Sequence, residues 1–274
     1  MYRHRHCFVL LCLLFVFLLS QGGNLQAAQN APGLPGIRQV KPDQISGKVL
    51  RGKTTILGGK ASSEFQQKIT YDPERNCYRV EYRSSLYQLE AELDSALRLR
   101  YSKWQAANPA LIECLGYNRR ITEYLPQKEA LQITYYQGNK VKETKVVAYD
   151  EQTLDSDIIY LYLTQLIDLC QERTSCDIIV KSRGWKLNVV FSPVTTADVL
   201  GLSPQYASLD VFREFAENIA AKAEELEVLV MDLNGLSKLF YPHRYYLAFK
   251  RTTPRQFVAY WGGAPSEAEF TFIE

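Results

Sequence analysis

The chain has 274 residues, with 46% hydrophobic and 23% charged positions, 32 Lys and Arg against 30 Asp and Glu, and three histidines. Without Arg3 and Arg5, both near the N-terminus, the two signs balance at 30 each, spread along the chain with no long single-sign block. That balance provides no electrostatic basis for binding nucleic acid or an anionic membrane surface.

The N-terminus comes first in chain order. Arg3 and Arg5 precede an unbroken apolar run from Phe8 to Leu19, then Ser20, Gly22 and Gly23 interrupt it, and Leu25 to Ala28 offer a small-residue cleavage site. This order describes a secretory signal peptide over residues 1–28, cleaved near Ala27 or Ala28, and the apolar run is short for a membrane-spanning helix. The expected location is therefore the periplasm. Residues 29–45 carry Pro32, Pro35 and Pro42 with little apolar pattern and read as a flexible linker.

From residue 46 to 274 the reading is one β-rich domain. In YRVEYR, Tyr78, Val80 and Tyr82 alternate with Arg79, Glu81 and Arg83. That is a strand with one face in water. Leu97, Leu99 and Tyr101 repeat the alternation, as do Leu131, Ile133 and Tyr135. Gly138-Asn139 closes a hairpin whose second strand, from Lys140, carries charge on both faces and reads as an edge. Asp155-Ser156-Asp157 caps a helix over about 156–170 that is apolar nearly all round, so it belongs against the sheet. Ile178 to Phe191 forms a hairpin turning at Arg183-Gly184, with Trp185, Leu187, Val189 and Phe191 on one face. A second helix, over about 209–227, has a stripe of Phe212, Phe215, Ile219 and Leu226. His243, Tyr245, Leu247 and Phe249 then share a strand face at the start of a three-strand meander. The expected architecture is a large curved antiparallel sheet or partly open barrel covered by two helices.

Beyond the signal the only histidine is His243, and HExxH, CxxC, G-x-S-x-G and the glycine-rich phosphate loops are absent. Asp155, Asp157 and Glu225 read as helix caps and solvated faces. No enzyme, metal or cofactor is expected. Cys77, Cys114, Cys170 and Cys176 remain beyond the signal, and the short spacing favours a Cys170–Cys176 disulfide.

The order of KVLRGKTTILGGKAS, YDPERNCYRVEYRSS, YDEQTLDSDIIYLYL and RYYLAFKR…FVAYW resembles an exported bacterial family, domain of unknown function 3108, over about residues 46–273. The helix at 209–227 departs from that order. The resemblance implies a periplasmic β-rich fold with no assigned activity, so it transfers no catalytic residue. Two functions stay open. One is a carrier for an apolar, lipid-like ligand held by Tyr245, Leu247, Phe249, Trp185 and Tyr160. The other is an envelope-assembly protein that meets a partner protein through a sheet edge such as 140–149.

Overall fold

A computed structural model describes residues 42–166, 173–195, 206–234, 238, 243–252 and 255–274. The signal segment, most of the linker and Cys170 fall outside these residues.

Fifteen strands form one sheet in the order β8-β7-β6-β5-β4-β3-β2-β1-β15-β14-β13-β12-β11-β10-β9. They are β1 (Val49–Ile56), β2 (Ala61–Asp72), β3 (Cys77–Ser84), β4 (Tyr87–Asp94), β5 (Leu99–Ala106), β6 (Arg119–Leu125), β7 (Ala130–Gln137), β8 (Lys140–Ala148), β9 (Thr153–Asp155), β10 (Thr174–Val180), β11 (Trp185–Val194), β12 (Leu226–Leu233), β13 (Tyr245–Lys250), β14 (Gln256–Gly262) and β15 (Glu269–Ile273). All pairings are antiparallel except β9 with β10, so the sheet is mixed.

The connectivity forces this sheet to curl. β8 and β9 are its opposite edges, yet β8 ends at Ala148 and β9 starts at Thr153. Five peptide steps reach at most about 18 Å. Fifteen strands laid flat at about 4.8 Å spacing would put the same edges roughly 67 Å apart. The two edges therefore come round to meet, giving a barrel left open along one seam. At that seam Lys145 of β8 donates to the carbonyl of Arg183 in the β10–β11 turn at 2.9 Å.

Local chemistry follows the period-two reading in most strands. Tyr78, Val80 and Tyr82 are buried while Arg79 and Glu81 are exposed, and Leu131, Ile133 and Tyr135 are all buried. In the β7–β8 hairpin Gln137 pairs with Lys140, and Gly138 takes φ +62°. One alternation breaks. Glu92 pairs with Tyr101 but Leu93 pairs with Leu99, so Arg100 is an extra residue in β5. This bulge keeps Leu97 and Leu99 buried and turns Tyr101 outward.

Among the described residues four α-helices accompany the sheet: α1 (Pro42–Ile45), α2 (Pro109–Leu115), α3 (Ile159–Leu166) and α4 (Asp210–Ala220). Ile45, at the end of the stretch read as linker, is buried in the core. Sequence reading passed over α2, although Asn108 caps it by accepting from the amides of Ala110 and Leu111, and Gly116 closes it at φ +70°. α4 is shorter than the expected 209–227. It ends at Ala220, and Leu226, expected on its stripe, instead begins β12. The meander therefore has four strands, β12 to β15, not three.

Two cores sit on opposite faces of the wall. Outside β12–β15, Phe212, Phe215 and Ile219 of α4 pack on Tyr246, Trp261 and Phe270. Inside, residues from nearly every strand form the larger core around α3. Because α3 is apolar on almost every side, it is buried as a plug rather than laid on as a cover. Tyr162 donates to the carbonyl of Leu97 on one wall at 2.7 Å. Tyr160 stacks on Phe257 of another, centroids 5.1 Å apart.

Candidate functional site

Inner-face side chains of β5, β6 and β10 converge on the start of α3. Lys181, just past β10, is 0% exposed. Its ammonium donates to Asp155 Oδ2 at 2.7 Å and to Ser102 Oγ at 3.2 Å, and lies 2.9 Å from Asp157 Oδ2. Arg120, also buried, pairs with the same Asp157 carboxylate and lies against the Trp104 ring. Asp155 additionally caps the helix by accepting from the Asp157 amide at 2.9 Å. Burial opposes ionisation of Asp157, but Arg120 and then Lys181 outweigh it and hold its carboxyl below the usual range. The two aspartates read as caps and solvated faces are thus a buried ionic cluster that fastens the plug to the wall. Glu225, the third carboxylate so read, is exposed just before β12.

Beside the cluster runs a band of aromatic rings. Phe65 stacks on Tyr82 at 5.0 Å, Tyr82 on Tyr87 at 4.6 Å, and Tyr87 leans on Trp104 at 5.7 Å. Trp104 meets Tyr117, and Tyr117 meets Tyr135, edge to face. Glu269, the first residue of β15, faces the Tyr82 and Tyr87 end of this band and lies within electrostatic reach of Asp157. Its carboxylate accepts from Thr271, whose hydroxyl is 2.8 Å from that of Thr54. Burial, offset only in part by that hydrogen bond, pushes Glu269 up to about 7. Tyr87, Tyr160 and Glu269 are each only partly buried. The Tyr160 hydroxyl is buried without a hydrogen-bond partner.

The residues expected to line a ligand slot are split by the structure. Leu247 and Phe249 are wholly buried in the inner core, and Phe249 meets Phe257 at 5.7 Å. Tyr160 of the helix reaches Phe249 only through Phe257, and both Leu247 and Phe249 belong to the filled inner core. Tyr245 is half-buried and stacks on Tyr260. Tyr160, on the plug, carries a buried hydroxyl without a hydrogen-bond partner. Trp185 does not line the interior. It begins β11 beside the hairpin turn and is 56% exposed. Trp185→Ser is expected to change the unfolding free energy by less than about 0.5 kcal/mol, measured by urea titration.

His243 lies half-buried two residues before β13. Among the described residues no group of three or more His, Cys, Asp or Glu side chains could hold a metal ion. The described residues contain no disulfide, and Cys77 and Cys114 are free thiols. Cys176 is buried on β10, and its expected partner Cys170 lies outside the described residues.

No family model matches the chain, so the resemblance to domain of unknown function 3108 rests on residue order alone. No curated protein matches it either. Among solved structures, the chain is similar to a beta-barrel-like protein of domain of unknown function DUF1849 from Brucella abortus, with 5% identity and a TM-score of 0.46 over 82% of this chain and 94% of that one.

Proposed function

We propose that the protein is an exported, non-enzymatic binding barrel whose interior takes a small amphipathic molecule. The observation that carries the reading is the Tyr160 hydroxyl on the plug, buried without a hydrogen-bond partner, with Tyr87 and Glu269 only partly buried. A buried polar atom without a partner costs about 1–3 kcal/mol, which a polar group on a guest would recover. A guest with one polar end would satisfy it and lay its apolar part along Tyr82, Tyr87 and Phe257. This narrows the lipid-like ligand expected from sequence to a shorter guest, since Leu247 and Phe249 leave no room along α3.

Protein purified from the envelope of its host, with its own leader removed, would be extracted for mass spectrometry and titrated with anilinonaphthalene sulfonamide. One saturable site is expected, with affinity lowered at least tenfold by Tyr160→Trp while the melting midpoint moves by only a few degrees. No saturable binding and no co-purifying small molecule would sink the reading.

A second reading has its own observation. Val141 and Val146, 59% and 54% exposed, lie on the edge strand β8. A partner strand added there would cover both. Lys140, Lys142 and Lys145 on the same strand work against promiscuous pairing.

A further inference from the structure

We infer that the free edge of β8 is a docking strip for an extended protein segment in which apolar and acidic residues alternate, added to the sheet as a further strand. The inference rests on the edge-strand reading of β8 and names the chemistry of its partner.

The first argument is that the edge is open. β8 ends the sheet, and among the described residues no backbone hydrogen bond joins it to any strand but β7. Seven of its nine residues are exposed. An uncovered edge of that length is a template for another strand. Exposed apolar side chains also gather there. Of the five large apolar residues exposed among the described residues, Val141 and Val146 lie on β8, and Trp185 follows Gly184, which sits against the Lys145 side chain. Apolar groups left in water at one place on a surface mark an interaction site.

The second argument is the register, which sorts β8 into two rows of different chemistry. Val146 pairs with Gln132, Thr144 with Thr134 and Val141 with Tyr136, so these three share the outer face. Lys145 pairs with Ile133, Glu143 with Tyr135 and Lys140 with Gln137, on the other face. Lys142 is the extra residue of a bulge, and without that bulge Val141 would fall among the lysines. A strand laid beside β8 therefore meets apolar side chains on one face and ammonium groups on the other. Lys142 and Lys145 donate to the carbonyls of Gly116 and Arg183, which positions their charges without neutralising them. Glu143, 3.5 Å from Lys145, is the one acid on the strand against three lysines. Asp150 and Glu151, just beyond it, are already answered by Lys186 and Arg98. A second copy of β8 would bring the same positive excess. A segment with an acid at every second position brings the opposite one, and its apolar positions cover Val141 and Val146.

The test titrates two labelled, end-capped octapeptides into the full processed chain by fluorescence anisotropy, one alternating valine with glutamate, the other valine with lysine. The acidic peptide is expected to bind saturably and at least about tenfold tighter than the basic one. Strand addition has its own signature, because successive amides of an extended chain point to opposite edges. Of two N-methylated acidic peptides, one methylated at the valines and one at the glutamates, one is expected to lose at least about tenfold in affinity and the other to keep it. Val146→Glu, a change at an exposed position, is expected to weaken the acidic peptide while the melting midpoint stays within a few degrees. Equal binding of the acidic and basic peptides, with these two signatures intact, overturns the acidic partner and leaves the edge reading standing. If no peptide binds, if the two methylated forms behave alike, or if Val146→Glu binds as the wild type does, the edge reading itself falls. Sedimentation velocity on the chain alone is expected to show a monomer. A dimer that the acidic peptide dissolves would assign the edge to a second copy and overturn the inference.

Discussion

Lys181→Met is expected to cost about 3–5 kcal/mol of unfolding free energy, a large share of what holds a typical domain together. The lysine is 0% exposed and serves three oxygens: Asp155 Oδ2 at 2.7 Å, Asp157 Oδ2 at 2.9 Å and Ser102 Oγ at 3.2 Å. Methionine fills similar space but supplies no charge. Arg120 can still serve Asp157. Asp155 would be left buried with only the Asp157 amide, and its carboxyl would have to protonate or drag water into the core. The loss should be read as the cost of an orphaned charge, not as the worth of the ion pair. A companion variant separates the two. In Lys181→Met with Asp155→Asn, the helix cap is kept and the stranded charge removed, so more than half of the loss should return. Urea titrations of the two variants and the wild type check this. A single-variant loss below about 1 kcal/mol would mean that water reaches the cluster.

Why was this cluster missed when so much of the barrel was legible? Strands announce themselves locally. Tyr78, Val80 and Tyr82 carry their face assignment in six consecutive residues, and burial agrees with it. Where the wall bends, local parity fails. At Arg100 the bulge inserts one residue, so the alternation that holds at Leu99 points Tyr101 to the wrong face. The end of α4 misled for a related reason. The acidic stretch before Leu226 continues a helical charge pattern, and only pairing with β11 and β13 makes Leu226–Leu233 a strand. The site is harder still. Asp155 was rightly read as a cap, yet its second role depends on Lys181, 26 positions later, and Asp157 depends on Arg120, 37 positions earlier. Neither cation sits in a motif. Arg120 follows Arg119 and Lys181 precedes Arg183 in ordinary strand and turn surroundings, and only closure of the barrel brings Arg120 and Lys181 to the helix. Glu269 is the same case. Nothing in EFTFI separates an inward glutamate from a solvated one until Phe270 and Phe272 are seen packing outward against α4.

Glu269 also makes the second large prediction, an unusual dependence of stability on pH. Its carboxyl is raised from 4.5 to about 7 in the folded chain. A carboxyl raised on folding binds its proton more tightly in the native state than in the unfolded one. Its contribution is fully present below the unfolded value and is lost as pH rises through the folded value. Between about pH 4.5 and 7 the native state should therefore lose stability by about 2–3 kcal/mol, taking 1.36 kcal/mol per unit and discounting for the accessible part of the side chain. The charged groups that face it are Asp157, whose negative charge adds to the upward shift, and the hydroxyls of Tyr82, Tyr87 and Thr271. Asp157 itself runs the other way. Its carboxyl is lowered from 3.8, so its contribution is lost only as pH falls below that value. The two windows do not overlap, and the stability maximum should lie near pH 4.5–5 rather than at neutrality. Asp155 is also raised, its burial outweighing Lys181, so it acts in the same direction above 3.8, and Glu269→Gln removes the group that carries the window up to about 7. Its unfolding free energy should change by less than about 1 kcal/mol between pH 5 and 8, and at pH 8 it should exceed that of the wild type. Urea titrations at four pH values on both proteins decide this. A wild type as stable at pH 8 as at pH 5 would mean that Glu269 ionises freely in water.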